Sequence, residues 1–167
     1  MKKALSLLLV LVVLCSFAIF ALGSGSDEGT SDQGGGSAEG TAADNTNLGD
    51  YSVEIKSCRL AKSYDDKDVV IITYTFTNVK GDDATAFYVA FDDTAYQNGV
   101  GLNEAYVLAD SANYSADNQT KEIKKGASLD VEVAYELNDA TTDVEVEVKE
   151  LFSFSDKVLK KTFKIAQ

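Results

Sequence analysis

A small antiparallel β-sandwich is the fold class this chain predicts, on three observations. From Leu48 onward apolar and polar residues alternate with a period of two, as in strands with one face in a core and the other in water. No stretch carries a convincing helical periodicity. About seven short strands fit into roughly 119 residues, broken by turns rich in Asp, Asn and Gly, which favours a sandwich over a barrel or a mixed fold.

In chain order, Tyr51, Val53 and Ile55 alternate with Ser52, Glu54 and Lys56. Cys58 and Leu60 continue out of phase, so a bulge is expected near Ser57. Val69 to Thr77 is apolar or threonine-rich on both faces, with Val70, Ile72, Tyr74 and Phe76 on one side, as expected of a central strand. Ala86 to Phe91 reads as a third short strand, and Asn98-Gly99 as a tight turn with left-handed backbone angles. Leu102 to Thr120 admits a loop, a short strand at Tyr106 to Leu108, or a helical turn. Leu129, Val131, Val133, Tyr135 and Leu137 alternate without error, as do Val144, Val146 and Val148. Thr162 to Ala166 places Phe163 and Ile165 inward beside Lys160, Lys161 and Lys164, a lysine pattern that keeps an edge strand from pairing with other chains.

The domain is preceded by two segments of different character. Met1, Lys2 and Lys3 lead into the apolar run Ala4 to Leu22, the charge-then-apolar order of an export signal. At 19 residues the run exceeds a usual signal core of about 7 to 15 and approaches the roughly 20 that span a bilayer. Residues 1–23 are therefore a signal peptide or a membrane anchor helix. Lys2 and Lys3 stay cytoplasmic by the positive-inside rule, which places the rest outside. Ala21 and Gly23 supply the small residues for a cut before Ser24. Cys15 is the one cysteine placed for lipidation, but bulky Leu14 stands where lipoprotein signals have a small residue, and the thiol also reads as one more apolar residue of the run. Residues 24–48 form a linker: Gly23 to Asn47 holds seven Gly, four Ser, three Thr and five acidic residues, too polar to fold. As a coil it would reach about 25 to 30 Å. Residues 49–167 are the sandwich. The product is extracellular, either secreted or held on the outer face of the cytoplasmic membrane.

Composition narrows the chemistry. With 27 Asp plus Glu against 15 Lys plus Arg the chain repels polyanions, so nucleic acid is excluded as a partner. The sequence has no His and no Trp, which ends any Ser-His-Asp, Cys-His or His-zinc proposal. Cys58 is the single thiol of the domain and is expected to be a small buried hydrophobe. No intradomain disulfide is available, and no cofactor is expected.

Three acidic clusters fall at expected strand ends: Asp65, Asp66 and Asp68; Asp82 and Asp83; Asp92 and Asp93. Calcium takes such oxygen ligands, but none of the clusters has the spacing of a calcium loop, and Asp is also a common turn residue. Tyr88, Tyr96, Gln97, Asn98 and Tyr106 form a candidate ligand face, with Phe87 and Tyr114 near in sequence; aromatics at strand spacing also serve as core. A pair of carboxylates for glycoside hydrolysis has no motif to mark it.

Tyr51-Ser52-Val53-Glu54-Ile55, Phe76-Thr77-Asn78 closing the second strand, Tyr96-Gln97-Asn98-Gly99, and Lys125-Gly126-Ala127-Ser128 before a strand occur in an order that resembles domain-of-unknown-function family 5067, found on exported proteins and lipoproteins of Gram-positive bacteria. The likeness covers most of Tyr51 to Leu137. It implies an immunoglobulin-like sandwich, without the Cys-Trp-Cys core of antibody domains, and brings no catalytic residue. The function expected is a non-catalytic binding module, monomeric, with an envelope protein or glycan as partner and the membrane engaged through residues 1–23. A calcium or small-ligand site in the acidic loops is the alternative, and a carboxylate-based wall hydrolase the second.

Overall fold

Val69, Val70, Ile71, Ile72, Tyr74 and Phe76 are all fully buried, so the strand that carries them needs cover on both faces. The computed structural model, which describes residues 46–108 and 113–165, shows how that cover is built. The apolar run Ala4 to Leu22, Cys15 and the linker up to Asn45 lie outside the described residues. Among the described residues no helix is long and apolar enough to cross a membrane.

Among the described residues seven strands form two antiparallel sheets. β1 (Tyr51–Lys62), β2 (Asp68–Asn78) and β5 (Ser128–Glu136) make the first, in the order β1-β2-β5. β3 (Phe91–Gln97), β4 (Val100–Gly101), β6 (Val144–Glu150) and β7 (Leu159–Phe163) make the second, in the order β4-β3-β6-β7. β1 runs against β2 from Tyr51↔Asn78 to Lys62↔Asp68, with a register shift between Ile55 and Ser57. That is the bulge expected near Ser57, and it lets Val53, Ile55 and Cys58 all enter the core.

Between the sheets Val70, Ile72 and Phe76 meet Phe91, Ala95, Val144, Val146 and Val148. Aromatic rings fill one end: Phe76 and Phe91 stand edge to face at 5.6 Å, and Phe87 lies 5.2 Å from Tyr74. Such pairs add about 0.5 to 1.5 kcal/mol each beyond the area they bury.

Ala86 to Phe91 is not a strand. Phe87–Ala90 is a single helical turn, α1, and β3 begins only at Phe91. Phe87 and Ala90, three apart, turn inward while Tyr88 and Val89 face solvent. A short apolar run does not reveal its period, and here the chain must cross from one sheet to the other.

The segment after β4 resolves the open reading of Leu102 to Thr120. Asn103–Ala105 lies along the outer edge of β5, with Ala105 N–H donating to Ala134 O (2.8 Å) and Glu136 N–H to Asn103 O (2.8 Å). Val107 and Tyr114 then pack on Val69, Ile71 and Ala134, covering the outer face of the first sheet. A 3-10 helix, Ala116–Gln119, is fastened by Gln119 Nε2 donating to Glu132 O (2.7 Å) and Asn118 Nδ2 to Asp130 O (2.8 Å).

Two buried carboxamides pin the loops. Asn78 Nδ2 donates to Asp83 O (3.0 Å) and Ile123 O (3.3 Å), while its backbone N–H and C=O bond Ala127 and Gly126. At the other end Gln97 Nε2 donates to Asp139 O (3.0 Å) and Thr142 O (2.8 Å), and its Oε1 accepts from Asn138 N–H (2.8 Å). Asn98 (φ 52°) and Gly99 (φ 74°) then close the β3–β4 hairpin as the expected tight turn.

Gln97→Leu keeps the volume but leaves buried backbone groups unpaired, and is expected to cost about 3 kcal/mol in urea unfolding. Gly99→Ala, whose added methyl meets nothing within 4 Å, is expected to cost about 1 kcal/mol from the left-handed backbone alone, read as a lower urea midpoint at unchanged m-value.

Candidate functional site

The outer edge of β1 is treated differently along its length. At its start, Thr46 to Leu48 folds back on it, with Val53 N–H donating to Thr46 O (2.9 Å) and an isolated bridge at Asn47↔Ser52. At the bulge, Lys161 Nζ of β7 donates to Ile55 O (2.9 Å) and Lys56 O (2.8 Å). Beyond the bulge no strand pairs with this edge among the described residues.

An open groove of about 430 Å³ runs there, lined by Arg59, Leu60, Ala61, Lys62, Ser63, Tyr64 and Leu108. Leu60, Tyr64 and Leu108 are exposed by 47%, 69% and 53%, an unusual concentration for a strand edge. The hairpin that follows closes through Ser63 N–H to Lys67 O (2.9 Å), with Asp66 in the left-handed region (φ 66°). Tyr64 N–H donates to Tyr106 O (3.1 Å), which ties the groove to the segment crossing the outer sheet face.

The charges at the rim are paired. Arg59 bonds Glu132 in a two-point fork, Lys62 sits 2.9 Å from Asp68, and Lys67 sits 2.9 Å from Glu136. These partners raise the affinity of both lysines for their protons, chiefly through the bonds to Asp68 and Glu136. What the groove offers is therefore apolar contact beside an open strand edge, a combination that suits an extended apolar segment.

The acidic clusters are dispersed. Asp65, Asp66 and Asp68 belong to the β1–β2 hairpin, where Asp65 accepts from Ser63 Oγ (2.6 Å) and is held below the usual carboxylate range, chiefly by that bond. Asp82 lies 3.2 Å from Lys125 after β2, with Asp83 beside it. Asp92, on β3, lies 2.8 Å from Lys149. Among the described residues no three acidic or thiol groups gather closely enough to hold a metal ion.

The aromatic candidates divide among elements too. Tyr88 is exposed on α1, Tyr96 and Asn98 belong to the β3–β4 hairpin of the second sheet, and Tyr106 lies over the first. Gln97 turns inward as the pin described above. The groove residues Leu60, Tyr64 and Leu108 escaped the sequence reading; Leu60 breaking phase after the bulge was the available signal.

The buried reactive groups point into the core. Burial pushes the Cys58 thiol up to about 11, against a small opposing pull from Lys161, so it stays an unreactive thiol. Asp93 accepts a hydrogen bond from the Tyr135 hydroxyl across the two sheets, and the fully buried Tyr74 hydroxyl ends beside them without a formed hydrogen bond. Burial raises the Asp93 carboxyl to about 6, the Tyr135 bond opposing it and Glu104 adding to it. An acid whose pKa is higher folded than unfolded binds its proton more tightly when folded. Its favourable contribution is complete below the ordinary value near 4 and is lost as pH rises through about 6. Between pH 4.5 and 7.5 the chain should lose on the order of 2 kcal/mol of unfolding free energy from this group. Asp93→Asn should flatten that slope, measured by urea unfolding at both ends of the range; an unchanged slope would contradict the assignment.

Comparison with known proteins follows the fold. The chain is similar to a candidate lipoprotein from Staphylococcus aureus subsp. aureus NCTC 8325, with a TM-score of 0.55 and 20% identity over 77% of this chain and 93% of that one. It is also similar to a candidate lipoprotein from Bacillus subtilis subsp. subtilis str. 168, with a TM-score of 0.55 and 18% identity over 74% of this chain but 39% of that one. Among curated proteins none matches. The family model for the domain of unknown function DUF5067 matches residues 27–150, most of the chain and nearly all of both sheets, and the chain belongs to that family.

Proposed function

We propose that this chain is a non-catalytic, monomeric binding module with an immunoglobulin-like sandwich, displayed outside the cell, and that its β1 groove takes an extended apolar polypeptide segment by strand addition. The open apolar edge beyond the bulge carries the reading. The strand orders β1-β2-β5 and β4-β3-β6-β7 correspond to A-B-E and C′-C-F-G of an immunoglobulin-like domain, which supports that fold. Export is supported by the apolar run after Lys2 and Lys3, and by the likeness to two chains described as candidate lipoproteins. Nothing favours the alternatives as well: lysines pair with a member of each acidic cluster, and the carboxyl most raised in pKa, Asp93, is spent on Tyr135.

Fluorescence polarisation of labelled peptides with alternating apolar residues, against the full chain in lipid nanodiscs, should show saturable binding. Leu60→Asp should weaken it about tenfold, or about 1.4 kcal/mol. Equal binding by the variant, or none by either protein, would remove the groove from consideration. Calcium chloride and wall-glycan fragments, titrated in the same way, read the two alternatives.

A further inference from the structure

We propose that residues 103–106 are a pH-sensitive strap: ionisation of the Asp93 junction loosens their pairing with β5 and slackens the wall of the β1 groove. The functional half of this rests on the groove being the binding site. One residue connects the parts. Tyr135 donates through its hydroxyl to Asp93 on β3, and its backbone forms an isolated bridge with Glu104 of the strap. The bonds that hold the strap flank that bridge, Ala105 N–H donating to Ala134 O (2.8 Å) and Glu136 N–H to Asn103 O (2.8 Å). Asp93 and Glu104 thus approach the same position of β5, one from between the sheets and one from the strap.

The groups that face Asp93 come from each element packed on it. β2 brings the buried Tyr74 hydroxyl, which has no formed hydrogen bond, β5 brings Tyr135, and the strap brings Glu104. β6 sets Val148 opposite Asp93 in the sheet, and α1 brings Phe87 against Tyr74. Lys149 is held 2.8 Å from Asp92, whose side chain leaves β3 on the other face. An ionised Asp93 therefore meets hydroxyls that can donate to it and a carboxylate that repels it. Burial, with a smaller contribution from Glu104, raises the Asp93 carboxyl to about 6; because such coupling is reciprocal, Glu104 is repelled in turn once Asp93 loses its proton.

The strap is the side that yields. β3 is paired with β6 from Phe91↔Glu150 to Tyr96↔Glu145, so Asp93 has no freedom to withdraw. Glu104 is exposed, and a short ladder on a sheet edge opens more readily than a strand paired along its length. Movement there reaches the groove. Tyr106, two residues on, gives its carbonyl to Tyr64 N–H (3.1 Å), and Leu108 lines the groove beside Tyr64. Val107 stays buried against Val69 and Ile71, so the strap slackens without leaving the sheet. The groove is fully formed while Asp93 is protonated and looser when it is ionised.

Hydrogen exchange read by mass spectrometry on the full chain in lipid nanodiscs, corrected for the intrinsic pH dependence of amide exchange, follows the fragments that contain Ala105 and Glu136. Between about pH 5 and about pH 7.5 their protection should fall about fivefold more than that of β3 and β6. Glu104→Gln, at an exposed position that leaves Asp93 and its burial in place, should remove the excess, and so should Asp93→Asn. Binding of the alternating apolar peptides should weaken about threefold over the same range in the unaltered chain and in neither variant. Equal loss of protection in the strap and in β3 and β6, or an excess that survives Glu104→Gln, overturns the proposal. Loosening of the strap with peptide affinity unchanged overturns its control of the groove. Loosening that Glu104→Gln removes, with no peptide bound at either pH, supports the strap and overturns the groove reading instead.

Discussion

The need to bury β2 on both faces organises the molecule. One face is covered in the ordinary way of sandwiches, by the second sheet. The other face would be exposed in a two-layer fold, and Val69 and Ile71 there have no polar alternative. The chain answers with a third, partial layer, Val107 and Tyr114, held by the backbone bonds of Asn103 and Ala105 to β5 and by the 3-10 helix. The wall of the β1 groove is a by-product of this layer, because Leu108 follows Val107 past the edge of the sheet.

Polar groups inside this core hold the loops. Asn78 and Gln97 are the two buried polar side chains of the described residues, and each satisfies backbone groups of a crossing loop that has no ladder of its own. Asp93 and Tyr135 instead join the two sheets; their bond favours the ionised carboxyl, but burial outweighs it, so the junction is most favourable when the carboxyl is protonated. A half-satisfied arrangement of this kind, with Tyr74 beside it, favours one packing of the sheets at some cost in stability near neutral pH.

What was legible in the sequence follows the strength of the local physics. Period-two alternation located β1, β2, β5 and β6, and the phase break at Cys58 located the bulge, because burying one face leaves no other solution. Asn98-Gly99 located its turn through backbone sterics alone. The Ala86 to Phe91 run misled because six consecutive apolar residues carry no period, and the crossing between sheets, a tertiary demand, decided for α1. The segment from Leu102 stayed open although β2 held the clue: apolar residues on both its faces require an extra cover. Gln97 read as a ligand residue and serves as a pin, since a side chain's direction depends on neighbours that local pattern does not contain. The β1 groove was hidden for the same reason, as Leu60 and Leu108 meet only in three dimensions.

The treatment of the sheet edges explains why that groove stands out. Two sheets have four edges, and an exposed edge invites pairing with another chain. β5 is covered by Asn103–Ala105, and β4 is two residues long. β7 carries Lys160, salt-bridged to Glu147, and Lys161, whose ammonium lies 5.1 Å over the Phe163 ring and reaches the carbonyls of β1. The first half of β1 is closed by Thr46 to Leu48. The open stretch left among the described residues is the one beyond the bulge, and it is flanked by exposed Leu60 and Tyr64 in place of edge lysines free to repel a strand, since Lys62 is tied to Asp68. The proposed strand addition rests on this contrast: the other edges are blocked by four different devices, and this one is lined with apolar side chains.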